Sequence, residues 1–235
     1  MKTSRYSLPA ILGVALVCMQ APVFGAVEIS TLLEKKGPTA KEIITAPSIF
    51  REAKLSRLPI SLSQIEFLID HPRMASALAH LYAPFLDHYS VEVRSDQVTH
   101  IHDRETLEGD AELIDTSPGR RVYFIAGFFT IFKIRFYGHM VLVTVYSEQR
   151  ENAAFSVDAT TTAYIKIDSS FGGAFARLAD YLFPKKVDER IARFLRAAEA
   201  ITVAVHKDPA GAYRKLGASG EVSAEELREF GLTFM

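Results

Sequence analysis

Histidine and carboxylate side chains gather in one short stretch of this sequence. His100 and His102 are two residues apart, and Asp103 follows directly. On a β-strand, residues two apart share one face, so the two imidazoles could bind a metal ion together. No third ligand stands at a fixed spacing from them. We therefore interpret the stretch as the polar face of an edge strand, keep His100 and His102 as the metal candidates, and assign no metal or cofactor.

A second set of polar side chains alternates with apolar ones further along the chain. Lys133, Arg135 and Tyr137 share one parity. If that face were interior, the two cations could hold an anionic headgroup or a carboxylate, and the tyrosine hydroxyl could add a hydrogen bond. If it faced solvent, the long stems would lie on the sheet, and this is the interpretation we favour. His139, beside Gly138, could act as a base, but the sequence supplies no partner for it.

Sequence motifs for catalysis are otherwise missing. No serine stands in a nucleophile-elbow pattern, and no glycine-rich phosphate loop occurs. We assign no catalytic residue on this basis. The sequence leaves open whether the protein is an enzyme, with a non-catalytic role preferred.

Three long runs rich in β-branched and aromatic residues should form the sheet that positions these side chains. They span Arg120–Gly127, Phe129–Ser147 and Ala153–Asp168. The third run alternates strictly, which is typical of a strand with one buried face. The second is apolar on both parities, so both of its faces should be covered. The polar segment Ser147–Asn152 is predicted to be the hairpin loop between them, and Gly138 to mark a bend.

Helices are predicted on both sides of these runs. Ser61 with Gln64 forms a capping box, as does Ser223 with Glu226 at the start of the last predicted helix, and Pro72 stands at the tolerated first position of a second helix. Shorter strands should follow between residues 89 and 115. After the sheet, the pattern predicts a helix at Phe171–Phe183, ended by Pro184, and then the most amphipathic helix of the chain at Val187–His206.

The first residues have the features of a secretory signal peptide. Lys2 and Arg5 precede the apolar run Ala10–Met19, which is too short for a membrane span, and we place cleavage after Gly25. The only cysteine, Cys18, lies inside this segment, so the mature chain would have no disulfide. The expected location is a bacterial periplasm or the exterior. Loss of the two basic residues takes the formal charge from −1 to −3, which disfavours nucleic acid as a partner.

The remaining chain is predicted to form one domain with short additions. Residues 26–57 should be an arm that packs over the domain, residues 58–216 the domain itself, and residues 217–235 a short helix and tail. The arm would cover the outer face of the central strands, because an exposed face that carries Val141, Val143 and Val145 would be unusually apolar. The alternative covers are the helix Phe171–Phe183 and a second copy of the chain, which would make a homodimer.

The order of helices, antiparallel strands and a long closing helix indicates an α+β fold. From Leu58 to Leu216, and above all in the hairpin Phe129–Asp168 followed by the helix Val187–His206, the chain resembles the START and SRPBCC helix-grip superfamily. The resemblance implies a curved antiparallel sheet wrapped around a long C-terminal helix. Two departures are the extra helix Phe171–Phe183 and the lack of an evident first strand. The alternative fold is a cone-shaped NTF2-like domain.

The resemblance also implies a binding cavity between the sheet and the closing helix. Its expected occupant is a hydrophobic small molecule or a lipid, with transient membrane contact, and its polar anchors would be Lys133, Arg135, Tyr137 and His139. Two alternatives stay open: a cyclase- or hydrolase-like enzyme that uses His139 or the His100/His102 pair, and a structural or interaction module with a filled core. The side chains expected to line the cavity are Phe124, Phe128, Phe132, Phe136, Met140, Leu142, Tyr164, Phe194 and Ala198.

Overall fold

A computed structural model describes most of the chain after residue 37. It covers residues 38–86, 88–95, 97–103, 107–131, 134–151, 154–168 and 174–235. The predicted signal peptide, together with Phe132 and Lys133, lies outside the described residues.

Seven antiparallel strands form a single sheet in the order β1-β7-β6-β5-β4-β3-β2. Each neighbouring pair from β2 to β7 is also consecutive in sequence, and the first strand joins the last one at the edge. The strands are β1 Ile49–Leu58, β2 Tyr89–Val93, β3 Val98–Asp103, β4 Leu107–Asp115, β5 Arg120–Ile131, β6 Ile134–Glu151 and β7 Ala154–Ile167.

Six α-helices accompany the sheet within the described residues. They are α1 Pro38–Thr45, α2 Leu62–Asp70, α3 Pro72–Tyr82, α4 Ala174–Lys207, α5 Pro209–Ser219 and α6 Ala224–Phe234, with a short 3₁₀ turn at Pro84–Leu86. Both predicted capping boxes are confirmed, at Ser61 with Gln64 and at Ser223 with Glu226. None of the described helices is long and apolar enough to cross a membrane.

The helix pair α2–α3, the antiparallel sheet and the long helix α4 follow one another as a helix-grip fold requires. The predicted α+β class, with a curved sheet around a long C-terminal helix, is therefore confirmed. The NTF2-like alternative is not adopted, because the chain closes on helices and not on strands.

Three paired glycines mark the place where the sheet bends. Gly109 pairs with Gly127, and Gly127 pairs with Gly138, so the row crosses β4, β5 and β6. A Cβ atom on Gly109 would lie 2.7 Å from the carbonyl oxygen of Ala126, and one on Gly127 would come closer still to that of Glu108. Only glycine allows the strands to approach this closely, which lets the sheet curve.

The inner and outer faces of the sheet have different covers. On the inner face, helices α2, α3 and α4, together with α5 and α6 behind them, share one apolar core with the sheet that includes Leu58, Leu78, Val157 and Phe230. On the outer face, Ile43 and Ile44 of α1 are buried against Val122, Val141 and Val143. The expectation that residues before the domain cover the outer strands is confirmed for Ile43 and Ile44.

The structure corrects three expected boundaries. The sheet begins before residue 58, because Ile49–Leu58 of the expected arm forms β1 and pairs with β7. The expected loop Ser147–Asn152 belongs largely to β6, which continues to Glu151. The two helices expected on either side of Pro184 form one helix of 34 residues, Ala174–Lys207. The first of these corrections supplies the strand that the sequence did not reveal.

Candidate ligand-binding cavity

A cavity of about 640 Å³, partly open to solvent, lies between the inner face of the sheet and the helices. Its volume falls in the range of ligand pockets, and most of its wall is apolar, as small hydrophobic ligands require. Strands β2 to β6 form one wall, α2 and α3 the second, and α4 the third. The apolar side chains include Ile65, Leu68, Leu86, Val91, Ile101, Leu113, Ile125, Leu142, Phe194 and Ile201.

Helix α4 provides one wall because its apolar residues recur at helical spacing. Phe194, Ala198 and Ile201 are separated by four and three residues and line the cavity together. The ring of Phe194 meets the ring of Tyr89 edge-on, with centroids 5.3 Å apart. C-terminal to these three residues, Val205 is fully buried in the apolar core that the helices share. The C-terminal end of α4 is therefore packed in the core, and the turns from Phe194 to Ile201 face the cavity.

Two ion pairs attach α4 to the sheet near the midpoint of the helix. Asp188 accepts hydrogen bonds from the guanidinium of Arg51 on β1. Arg190 pairs with Asp103 on β3, whose side chain is almost entirely buried. These contacts join the helix to the edge strand β1 and to β3, the strand next to the opposite edge.

An arginine–carboxylate pair joins the sheet to α2 beside the cavity. The Arg121 guanidinium donates to both carboxylate oxygens of Asp70, with Nε–Oδ1 at 2.7 Å and Nη2–Oδ2 at 2.6 Å. Glu66 lies 3.7 Å from Arg121 and accepts a hydrogen bond from the Tyr146 hydroxyl. The bonds to Asp70 raise the pKa of Arg121 further, and burial raises the pKa of Tyr146. The pair is a fixed structural link and has no free charge to offer.

The junction of α2 and α3 forms a polar rim at the cavity. Asp70, His71, Arg73 and Glu226 contribute to the lining there. The Arg73 Nη1 atom lies 3.8 Å from a carboxylate oxygen of Glu226. His71 Nε2 lies 3.2 Å from Glu229, on the same C-terminal helix. The charges at the rim are therefore paired with one another.

Two tyrosines contribute hydroxyl groups to the apolar wall. Tyr89 on β2 and Tyr123 on β5 both line the cavity. Burial, with Asp70 as the next cause, raises the pKa of Tyr123 to about 12. Burial, followed by the charge of Asp103, raises the pKa of Tyr89 as well. Both phenols are neutral at physiological pH and can donate a hydrogen bond.

The structure distributes the aromatic and apolar residues expected in the pocket over both faces of the sheet. Leu142, Phe194 and Ala198 line the cavity. Phe136 is on the inner face but packs against Ile49 and Val187, away from the cavity. Met140 shares the parity of Leu142 without being part of the lining.

The other expected pocket residues are on the wrong face for this role. Phe124 and Tyr164 pack on the outer cluster beneath α1, and Phe128 lies under the guanidinium of Arg135, 4.5 Å from its ring centroid. The physical reason is that α1 covers this face, so its side chains are apolar without lining a pocket. Phe132 lies outside the described residues.

The expected polar anchors also lie on the outer face. Tyr137 is 53% exposed, and Arg135 is exposed beside it. His139 Nδ1 lies 3.7 Å from Asp168, and its ring faces that of Phe124. Because the sheet separates these groups from the cavity, none of them can orient a ligand there. Lys133 lies outside the described residues.

His100 and His102 share the outer face of β3, as the spacing predicts, but their partners are carboxylates on β4. His100 Nδ1 lies 2.7 Å from Asp110, and His102 Nδ1 lies 3.5 Å from Glu108. Among the residues that the structure describes, no group of histidine, cysteine and carboxylate side chains could hold a metal ion. The pair is a polar surface of the sheet.

Comparison with known proteins adds little to this description. No family model matches the chain, and no curated protein matches it. Several solved structures are similar in shape, and two of them illustrate the likeness. Ara h 8.0201 is 10% identical, with 66% of this chain and 98% of that one aligned at a TM-score of 0.40. An uncharacterized protein from Rhizobium leguminosarum is 14% identical, with 66% and 97% aligned at 0.35. At such scores neither likeness bears on function, and the fold assignment rests on the strands and helices themselves.

Proposed function

We propose that this protein binds a hydrophobic small molecule or a lipid in the cavity between the sheet and α4, as members of the START and SRPBCC superfamily would. The observation that carries the proposal is a cavity of about 640 Å³ with a mostly apolar wall. Interiors are normally packed to the density of organic crystals, so a space of this size is not ordinary core packing. A binding role explains why α4 and the sheet stay apart at this point.

Two alternative roles have less support. An enzyme that used His100, His102 or His139 on a ligand in the cavity would need them on the inner face, and they are on the outer one. A purely structural module would have no need of an apolar cavity of this volume, which favours the binding role.

We further propose that the protein acts after export to a bacterial periplasm. The basic residues Lys2 and Arg5 and the apolar run Ala10–Met19 support this. The intact mass of the protein from its own cell tests it: a chain that begins at Ala26 is expected, and a chain that retains residues 1–25 would contradict it.

The binding proposal is tested with N-phenyl-1-naphthylamine, a neutral dye whose fluorescence rises in apolar surroundings. We expect saturable binding by the full mature chain. Ala198→Trp should fill the cavity and weaken binding about tenfold or more, which corresponds to about 1.4 kcal/mol. The matched control is Val203→Trp on the same helix, where Val203 is 46% exposed and outside the cavity.

The pair of variants decides the outcome. Binding that Ala198→Trp weakens and Val203→Trp leaves unchanged supports the cavity as the site. Absence of saturable binding, or equal effects of the two substitutions, contradicts the proposal. Circular dichroism of both variants establishes that they fold.

A further inference from the structure

The two phenols in the cavity wall have hydrogen-bonding capacity that the described residues leave largely unused. Tyr89 and Tyr123 stand on opposite parts of the sheet, β2 and β5, and both side chains point to the inner face. Thr202 also lines the cavity, but its hydroxyl bonds the carbonyl oxygens of Ala198 and Glu199 at 2.9 and 3.1 Å. The two tyrosine hydroxyls are therefore candidates for hydrogen bonds to a ligand.

The Tyr123 hydroxyl makes only a marginal bond within the protein. Its oxygen lies 3.5 Å from the Ile69 carbonyl oxygen, well beyond the usual O–H···O distance of about 2.7–2.8 Å. The Tyr89 ring packs against Phe194, and in the described part of the chain its hydroxyl donates to no protein acceptor. The cavity is partly open, and among the described residues neither hydroxyl is a fully buried polar atom without a partner, so both can meet water inside the cavity. A ligand oxygen can take the place of that water and accept a hydrogen bond from each phenol.

A paired carboxylate lies near each phenol. After burial, the charge of Asp103 is the next cause that raises the pKa of Tyr89, and that of Asp70 the next cause for Tyr123, and Arg190 and Arg121 pair with these carboxylates. An anionic ligand group would lose its hydration here and meet charges that are already paired. A ligand oxygen that meets these hydroxyls should therefore be uncharged.

We propose that the cavity binds a neutral, largely apolar molecule with a carbonyl or hydroxyl oxygen, and that Tyr89 and Tyr123 hydrogen-bond this oxygen. The proposal rests on the proposed function of the cavity and specifies the chemical class of its ligand. The two tyrosines are binding residues that select for the oxygen, while the aliphatic wall and Phe194 accept the remainder of the molecule.

The test uses three rigid molecules of one shape: fluorene, 9-fluorenone and fluorene-9-carboxylate. Each displaces N-phenyl-1-naphthylamine from the full mature chain. Without a hydrogen-bond donor in the cavity, the ketone should bind more weakly than the hydrocarbon, because its oxygen must be dehydrated. With the two phenols as donors, we expect fluorenone to bind about three- to tenfold more tightly than fluorene, and the carboxylate to bind most weakly.

Substitution of the phenols identifies the donors. Tyr89→Phe and Tyr123→Phe should each reduce the preference for fluorenone, and the double variant should abolish it, with fluorene binding unchanged. Tyr164→Phe is the matched control, because Tyr164 lies on the outer face of the same sheet. Thermal denaturation shows whether the variants fold. If the double variant does not fold, the two single variants are sufficient for the test.

The outcomes separate this inference from the proposed function. If the dye itself does not bind, the proposed function fails and the inference fails with it. If the dye binds but fluorenone has no advantage over fluorene, only the inference is overturned. The same holds if the advantage survives both phenylalanine substitutions, or if Tyr164→Phe removes it equally.

Discussion

Arg121 is the residue through which the sheet and the helix pair are joined most directly. Its side chain is 5% exposed and its guanidinium makes a two-pronged bond to Asp70, which is the stronger form of an arginine–carboxylate pair. The carbonyl oxygens of Ser117 and Arg120 accept hydrogen bonds from its Nη1 atom at 3.0 and 2.9 Å. Four of the five guanidinium hydrogens thus have acceptors, which explains how a charge can stay buried beside an apolar cavity.

Removal of this guanidinium should destabilise the protein strongly. Arg121→Met should lower the free energy of unfolding by about 3 kcal/mol, because Asp70 and Glu66 would lose their counter-charge in a partly buried place. Arg150→Met is the control, since Arg150 is 75% exposed and pairs with Glu148 at 3.2 Å, and it should change stability by less than about 0.5 kcal/mol. Urea denaturation measures both, and equal losses would contradict a special role for Arg121.

For single residues, the sequence predicts which side chains of α4 face the cavity better than it predicts which side chains of the sheet do. The helical spacing of Phe194 and Ala198 leaves one apolar stripe, so their orientation toward the cavity could be foreseen. Strand β6 is apolar on both parities, and its pattern cannot tell the face of Leu142 from that of Val141. For the same reason Phe124 and Tyr164 could not be assigned to the outer face. Tyr89 and Tyr123 could be found only once the strands were paired in space.

At the scale of strands and helices, we expect the curvature of the sheet to depend on one row of glycines. Gly109, Gly127 and Gly138 are registered across three strands, so β4, β5 and β6 can bend at the same place. We expect this bend to produce the curvature of the sheet beside the cavity. The sequence predicts a bend at Gly138, but the row exists only through strand register, which long-range pairing determines.

A methyl group in this row should be costly. Gly127→Ala would drive a Cβ atom into the carbonyl group of Glu108 and against the Cα atom of Gly109. Overpacking of this kind costs about 1–3 kcal/mol, and the backbone contact points to the upper end. Gly217→Ala, within helix α5 and against the movable side chain of Leu227, should be neutral or slightly stabilising because alanine favours helices. Thermal unfolding of both variants tests this, and a harmless Gly127→Ala would show that the sheet bends elsewhere.

Local sequence signals predict where helices begin, whereas the alternation of apolar and polar residues predicts an edge strand poorly. The capping boxes at Ser61 and Ser223 could be read directly, since a cap depends on residues three apart. Strand β1 was missed because Arg51, Glu52 and Lys54 make it look like a solvated arm. In the structure Arg51 reaches the helix, through Asp188, from the inner face. That contact joins residues 137 apart in sequence, which no local pattern contains.

On the scale of the whole molecule, the two faces of the sheet are closed by opposite ends of the described chain. The C-terminal helices fill and border the inner face, and α1 covers the outer face ahead of the first strand. The need for an outer cover follows from the sequence, because β6 is apolar on both sides. Which residues form the cover could be foreseen only in part. Ile43 and Ile44 of α1 are buried, whereas Phe50 belongs to β1 and is 42% exposed beside Tyr164 of β7.

Removal of α1 should therefore expose the outer face without opening the cavity. A chain that begins at Pro47 keeps β1 whole but uncovers Val122, Val141 and Val143, and we expect it to associate and to bind more of an apolar dye such as 8-anilinonaphthalene-1-sulfonate. In the full mature chain, Ile43→Ala should cost about 2–5 kcal/mol, because Ile43 is fully buried. Lys41→Ala on the exposed side of α1 serves as the control, with an expected change below about 0.5 kcal/mol.

Light scattering and dye fluorescence measure the first effect, and urea denaturation measures the second. If the shortened chain stays monomeric and binds no more dye than a chain that begins at Ala26, α1 is not the required cover. A loss for Ile43→Ala as small as that for Lys41→Ala would point to the same conclusion. Because α1 and the cavity lie on opposite faces of the sheet, binding of N-phenyl-1-naphthylamine by the shortened chain should persist. Loss of that binding at unchanged secondary structure would show that the outer cover also holds the curvature on which the cavity depends.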